Sequence, residues 1–148
     1  MISKIITATG LSLACLVPTG FAQDITGAWS FETRVERKGC TLAGTMSISP
    51  ASENGTRTCS FVSAETCDDE PEVSIRMDQS CRITPQSDNY IIRSKVIGTL
   101  TEGYSVSQYL ADHFIVSPTS PKKMSGIWQD TQYSARVVFW RNDDLPVS

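Results

Sequence analysis

Hydrophobic and polar positions alternate with a period of two along most of the chain. From Trp29 to Glu36 the apolar positions are separated by polar or charged ones, which turns one face toward a core and the other toward water. Seven further segments repeat this pattern, and none shows the long helical period of 3.6 residues. The pattern therefore predicts eight short strands, at residues 29–36, 40–49, 56–64, 73–84, 89–97, 113–117, 122–129 and 134–141.

Most of these segments are joined by short polar connections. Asn54-Gly55 is a strong hairpin-turn signal, because both residues tolerate positive φ. Eight strands in sequence most economically close on themselves, since closure removes the exposed edges that invite aggregation. We therefore expect an all-β fold, an eight-stranded antiparallel up-and-down meander β-barrel. The inward positions are clearest in the fourth strand, where they are Val73, Ile75, Met77, Cys81 and Ile83.

One connection, residues 98–112, is too long for a hairpin turn. It contains Tyr104 and Tyr109. We expect it to cover one mouth of the barrel or to carry a short helix at residues 106–110.

Residues 1–22 have the composition of an export signal. Lys4 precedes an apolar run at residues 5–17, and the small residues Gly20 and Ala22 fit a signal-peptidase site. The run is too short and too interrupted for a membrane helix. An alternative makes Cys15 a lipoprotein cysteine.

Cleavage after Ala22 would leave one domain at residues 23–141 and a loose tail at residues 142–148. We expect a periplasmic or secreted protein.

Four of the five cysteines lie in the second to fourth predicted strands. If the first of these hairpins turns near residues 52–55, Cys40 opposes Cys67, and the next hairpin sets Cys59 against Cys81. We predict these two disulfides, although four cysteines also allow two other connectivities. Redox catalysis or zinc binding is disfavoured because no Cys-x-x-Cys occurs and an exported chain meets oxidising conditions.

The charge balance argues against polyanionic partners. Without the leader the chain has 12 basic and 16 acidic side chains, so neither nucleic acid nor anionic lipid would gain from counterion release. The acidic run at residues 67–72 lacks the spaced ligands of a calcium loop, and His113 is the single histidine. We expect no enzyme activity, no metal and no cofactor.

The first strand opens with Gly27-Ala28-Trp29, which resembles the Gly-x-Trp opening of lipocalins, avidins and related calycin barrels. Gly126-Ile127-Trp128 repeats the same spacing late in the chain. The resemblance implies an arginine near the last strand that packs over the opening tryptophan, and Arg136 or Arg141 fits that role. Bacterial metalloprotease inhibitors share the architecture of an eight-stranded barrel with a disulfide.

Aromatic side chains are the most promising candidates for binding. A barrel of eight strands is packed solid or holds one small ligand, and strands near seven residues favour a mostly filled barrel with a shallow mouth. The candidates for ligand binding are Trp29, Phe61, Tyr90, Tyr104, Tyr109, Trp128 and Phe139. The candidates for a protein interface, an exposed tryptophan and arginines, are Arg136, Trp140 and Arg141.

The function expected from these features is that of an exported, non-catalytic binding barrel for a small apolar ligand or a protein partner. One alternative is a periplasmic protease inhibitor, in which residues 23–26 would project into a protease cleft. The other is a structural or accessory protein of the cell envelope. The oligomeric state stays open.

Overall fold

The computed structural model describes residues 24–142, so the predicted leader and the tail beyond Asn142 lie outside the described residues. The strands are β1 Gly27–Val35, β2 Cys40–Ile48, β3 Arg57–Cys67, β4 Ser74–Gln86, β5 Asn89–Thr99, β6 His113–Ser120, β7 Lys123–Gln129 and β8 Ser134–Arg141. A 3₁₀ turn, Val106–Gln108, lies in the long connection between β5 and β6.

The fourth strand begins one residue later than predicted. Val73, which we predicted to face inward, precedes β4 and is 40% exposed, so that prediction is wrong.

The eight strands form a closed antiparallel barrel in which each strand pairs with the next along the chain. Pairing of β8 with β1, where Phe139 lies opposite Phe31, completes the cylinder. The predicted eight-stranded meander barrel is confirmed. Within residues 24–142, no helix has the length and apolarity to span a bilayer.

Side chains fill the middle of the barrel. Phe31, Phe61, Phe114 and Phe139 are almost fully buried, and neighbouring ring centroids are 5.2–5.7 Å apart, mostly in edge-to-face contact. Gly44 makes room for this cluster, since a Cβ there would lie 2.5 Å from Cζ of Phe31. The middle of the barrel is therefore filled by side chains, as we predicted from the short strands.

Both predicted disulfides are present. Cys40 lies opposite Cys67 across β2 and β3, and Cys59 lies opposite Cys81 across β3 and β4. The connectivity inferred from hairpin register is confirmed, and it ties β3 to both of its neighbours.

One end of the barrel, which we call the Trp29 end, is closed by Trp29 and Arg141. The Arg141 guanidinium lies 4.3 Å from the centre of the Trp29 ring and donates to the backbone oxygens of Asp24 and Thr26, each at 2.6 Å. The Trp29 indole N–H donates to the oxygen of Ile25 at 2.8 Å. Of the two arginines suggested for this position, Arg141 occupies it, whereas Arg136 is exposed on the outer face of β8.

Candidate functional site

The opposite end, which we call the mouth end, carries the connections that follow β1, β3, β5 and β7. Between them is a half-enclosed cavity of about 250 Å³, which we call the mouth pocket. The β5–β6 connection forms one wall, as predicted for a segment that covers a mouth. The pocket is lined by Lys38, Glu65, Tyr104, Gln108, Tyr109, Leu110, Asp112, Asp130 and Gln132.

A buried polar network forms the floor of this pocket, centred on Asp112. One carboxylate oxygen of Asp112 accepts the Trp128 indole N–H at 2.7 Å, and the other accepts the Gln79 amide at 2.7 Å and the Tyr109 hydroxyl at 3.0 Å. The Asp112 backbone N–H donates to the Gln79 side-chain oxygen at 3.0 Å, and Gln79 also donates to Ser63 at 3.0 Å. Both carboxylate oxygens of Asp112 and both the oxygen and the nitrogen of the Gln79 amide therefore have partners. A buried polar network needs such pairing to be stable.

The local sequence explains why these groups meet. Ser63 and Gln79 occupy inward positions of β3 and β4, in phase with Phe61 and Cys81, and both are fully buried. Asp112 ends the long connection one residue before β6, so its side chain reaches the floor beneath the 3₁₀ turn. The long connection is therefore tied to the barrel through Asp112.

Burial governs the ionisation of this network. Burial raises the pKa of Asp112 to about 6, against the opposing effect of the hydrogen bonds from Gln79, Trp128 and Tyr109. The pKa of Tyr109 is also raised, by burial first and by the charge of Asp112 second. Tyr109 therefore stays a neutral phenol whose hydroxyl donates a hydrogen bond to Asp112.

A second charged pair lies in the pocket wall. The Lys38 ammonium is 3.0 Å from one oxygen of Glu65 and 5.9 Å from the centre of the Tyr133 ring. Glu65 is only 7% exposed. Cys40 and Cys67 come close to Glu65, but their sulfurs are bonded to each other and supply no thiolate for a metal.

The candidates for ligand binding divide between two places. Tyr104 and Tyr109 line the mouth pocket. The other five, which the sequence patterns turned inward, are packed in the core and are Trp29, Phe61, Tyr90, Trp128 and Phe139. Trp128 connects the two places, since its ring is in the core and its N–H reaches Asp112.

The candidates for an interface lie at different positions. Trp140 is 42% exposed on the outer face of β8, whereas Arg141 is used in closing the Trp29 end. Three other exposed apolar side chains lie on the outer face of β6 to β8, and together with Trp140 we call them the outer patch: Ile115, Ile127, Val138 and Trp140. Arg136 lies opposite Ile127, at the border of this patch.

Four residues of the site were not among the candidates predicted from the sequence: Lys38, Glu65, Gln79 and Asp112. Glu65 and Gln79 were nevertheless detectable, because each falls on the apolar face of an otherwise regular alternation. A charged or amide side chain at an inward position needs a buried partner, and that requirement is itself a signal.

Comparison with known proteins supports the fold. A redesigned β-barrel, mFAP1, bound to DFHBI, matches with a TM-score of 0.55 and 14% identity over 81% of this chain and 96% of that one. A related redesigned barrel, mFAP0, matches with a TM-score of 0.55 and 15% identity over 78% and 97% of the two chains. A de novo designed fluorescence-activating β-barrel gives a TM-score of 0.50 at 15% identity, over 81% and 95%.

No protein-family model and no curated protein sequence matches the chain. The similarity to the designed barrels, at such low identity, shows the eight-stranded barrel fold alone.

Proposed function

We propose that this protein is an exported, non-catalytic binding barrel that takes a small ligand into the mouth pocket. The observation that carries the proposal is the contrast between the two parts of the interior. The middle is filled by aromatic rings, whereas the mouth end keeps an open cavity of about 250 Å³ above a hydrogen-bonded polar floor. The mFAP1 and mFAP0 barrels, which share the fold, are bound to the small ligand DFHBI.

This proposal changes the expected ligand chemistry. An apolar ligand deep in the barrel would have to displace the phenylalanine cluster, and most of the mouth pocket is lined by polar or charged side chains. Ligand pockets combine a shaped cavity with a few fixed polar groups that orient the ligand. The fixed groups here are Glu65, held by Lys38, and Tyr109, held by Asp112.

Export to an oxidising space is part of the proposal. Two disulfides in a domain of this size are typical of secreted or periplasmic proteins, where thiols are not kept reduced. The leader composition points the same way.

A protease inhibitor is less well supported by residues 24–26. Such an inhibitor would need this segment to project from the barrel, but Ile25 is 1% exposed and packs in the core. The backbone oxygens on either side of Ile25 accept hydrogen bonds from Arg141.

A protein partner is the second candidate, and the outer patch favours it. Two residues of the outer patch, Ile115 on β6 and Ile127 on β7, lie directly opposite each other on adjacent strands. Sedimentation of the wild type and of Trp140→Ser tests the simplest partner, a second copy. Association that requires Trp140 would favour this candidate, and a monomer in both samples would count against it.

The ligand proposal is tested by a thermal-shift screen of a fragment library, using the chain from residue 23 with its disulfides intact. We expect stabilising fragments whose effect is lost in Tyr109→Phe, which removes the hydroxyl from the floor, or in Gln108→Ala. The control is Ser52→Ala, an exposed position at the Trp29 end. The proposal fails if no fragment stabilises the protein or if every hit is insensitive to the mouth variants.

A further inference from the structure

The mouth pocket has a marked excess of hydrogen-bond acceptors and negative charge. Three carboxylates line it, those of Glu65, Asp112 and Asp130, against the single ammonium of Lys38. That ammonium is already engaged by Glu65 at 3.0 Å and lies near the Tyr133 ring. An anionic ligand would therefore meet two uncompensated negative charges and would have to compete with Glu65 for Lys38.

Glu65 has one oxygen that receives no proton from the described part of the chain. Lys38 donates to Oε2. The nearest sulfur to Oε1, at 3.9 Å, belongs to Cys67, which is bonded to Cys40 and carries no hydrogen. Glu65 is only 7% exposed, and a carboxylate oxygen of a buried residue that lacks a protein donor is costly. A ligand in the pocket that donates to Glu65 would remove that cost.

Tyr104 and Asp130 present further acceptors. The Tyr104 hydroxyl donates to the backbone oxygen of Gln108, which leaves lone pairs on its phenol oxygen. The Tyr109 hydroxyl donates to Asp112, and its oxygen also meets the Ser63 hydroxyl. Asp130 accepts the backbone N–H groups of residues 132 and 133 through one oxygen, Oδ1. The second oxygen of Asp130 accepts no hydrogen bond from residues 24–142.

An alkylammonium group matches this arrangement, because it has three donors, no acceptor and a positive charge. Tyrosine rings also attract cations through their π-faces. The volume of about 250 Å³ holds roughly eight non-hydrogen atoms at the ~30 Å³ that a water molecule occupies in the liquid.

We propose that the mouth pocket binds a small organic cation, a protonated primary amine on a compact apolar body. Its ammonium group donates to Glu65 Oε1. The ring or alkyl body lies against Tyr104, Tyr109 and Leu110. This inference rests on the proposed ligand-binding function and names the chemical class of the ligand.

Three ring compounds of nearly equal size test it: benzylammonium, benzyl alcohol and benzoate. Their affinities for the wild-type protein are measured by calorimetry near neutral pH, with potassium chloride holding the ionic strength equal. We expect benzylammonium to bind about tenfold or more tightly than benzyl alcohol, and benzoate not to bind. This comparison needs no variant.

The matched variants are Glu65→Gln and Glu53→Gln, which change the net charge equally. Glu53 is exposed in the β2–β3 turn at the Trp29 end. We expect Glu65→Gln to weaken benzylammonium binding by about tenfold and Glu53→Gln to leave it unchanged. If Glu65→Gln does not fold, Asp130→Asn serves instead, since it removes a charge but keeps the Oδ1 acceptor, and it should weaken binding severalfold.

Failure of the inference is distinguishable from failure of the proposed function. Benzyl alcohol or benzoate binding as tightly as benzylammonium overturns the cation specificity but leaves a mouth-binding barrel. Cation specificity is also overturned, and the mouth-binding barrel is retained, if none of the three compounds binds but fragments of the library bind and lose their effect in Tyr109→Phe. If neither the probes nor the library bind at the mouth, both proposals fall.

Discussion

Trp29 and Trp140 are the same residue type in opposite environments. Trp29 is 1% exposed, is covered by Arg141 and donates its N–H to Ile25, whereas Trp140 is 42% exposed on the outer wall. Trp29→Ala should lower the free energy of unfolding by about 3–5 kcal/mol, because it leaves a cavity and removes the surface that Arg141 covers. Urea denaturation measures this loss.

Trp140→Ala is the matched control, and we expect a change within about 0.5 kcal/mol, as for surface substitutions in general. Equal losses for the two variants would contradict the assignment of Trp29 to the core.

Asp112 should give the stability a characteristic pH dependence. Its pKa is about 6 in the folded protein and 3.8 as the ordinary value, so ionisation costs the folded state more than the unfolded one. Its contribution to stability is fully present below the ordinary pKa and is lost as the pH rises through the folded pKa. The loss on going from about pH 4 to about pH 7 is roughly 2 kcal/mol.

Asp112→Asn isolates this effect from the other carboxylates. The free energy of unfolding of the wild type, relative to the variant, should decline between about pH 4 and about pH 7. A difference that is constant or that grows with pH would show that burial does not raise the pKa of Asp112.

At the scale of elements, the disulfides hold three strands together. Reduction should lower the melting temperature, with each bridge contributing about 2–4 kcal/mol. Thiol titration of the native chain that starts at residue 23 should find no free thiol, since all four of its cysteines are paired. A free thiol before denaturation would contradict the connectivity.

Close packing of β2 against both of its neighbours, β1 and β3, depends on Gly44. A Cβ at this position would collide with the backbone oxygen of Val62 and lie 2.5 Å from the Phe31 ring, whereas at Gly98 the nearest atom is 4.0 Å away. Gly44→Ala should cost about 1–3 kcal/mol, as overpacking does. Gly98→Ala is the control, and a Gly44→Ala protein as stable as this control would mean that the phenylalanine cluster is looser than described.

The strands and the disulfides were predictable because both depend on local order. Alternation places Trp29, Phe31 and Val35 on one face without any knowledge of the rest of the fold, and hairpin register follows from turn position. The start of β4 was misplaced at Val73, since an apolar residue beside an acidic turn continues the alternation but not the strand.

The mouth pocket could not be predicted in the same way. Asp112 and Gln79 are 33 residues apart, and they meet because β4 and the long connection arrive at the same end of the barrel. The two tyrosines of the connection were recognised as candidates, but the acidic chemistry beside them depends on closure of the cylinder. Only the polar side chains of Glu65 and Gln79, which fall at inward positions of β3 and β4, indicated this buried polar chemistry in the sequence.

In the molecule as a whole, the packed part of the barrel and the proposed binding site lie in different places. The middle of the barrel is packed with buried side chains, whereas the mouth pocket lies at the mouth end beside the long connection. Substitutions at Tyr104, Gln108 or Gln132, which line the pocket, are therefore expected to alter the proposed ligand site without disturbing the phenylalanine cluster. This arrangement is typical of barrels that hold ligands on a rigid scaffold.

The most direct test of ligand binding at the mouth is amide chemical-shift mapping of the disulfide-bonded chain from residue 23, titrated with the tightest fragment of the screen. We expect saturable shifts concentrated at residues 38, 65, 104, 108–112 and 130–132. Shifts centred instead on the outer wall of β6 to β8, or on the Trp29 end, would contradict it.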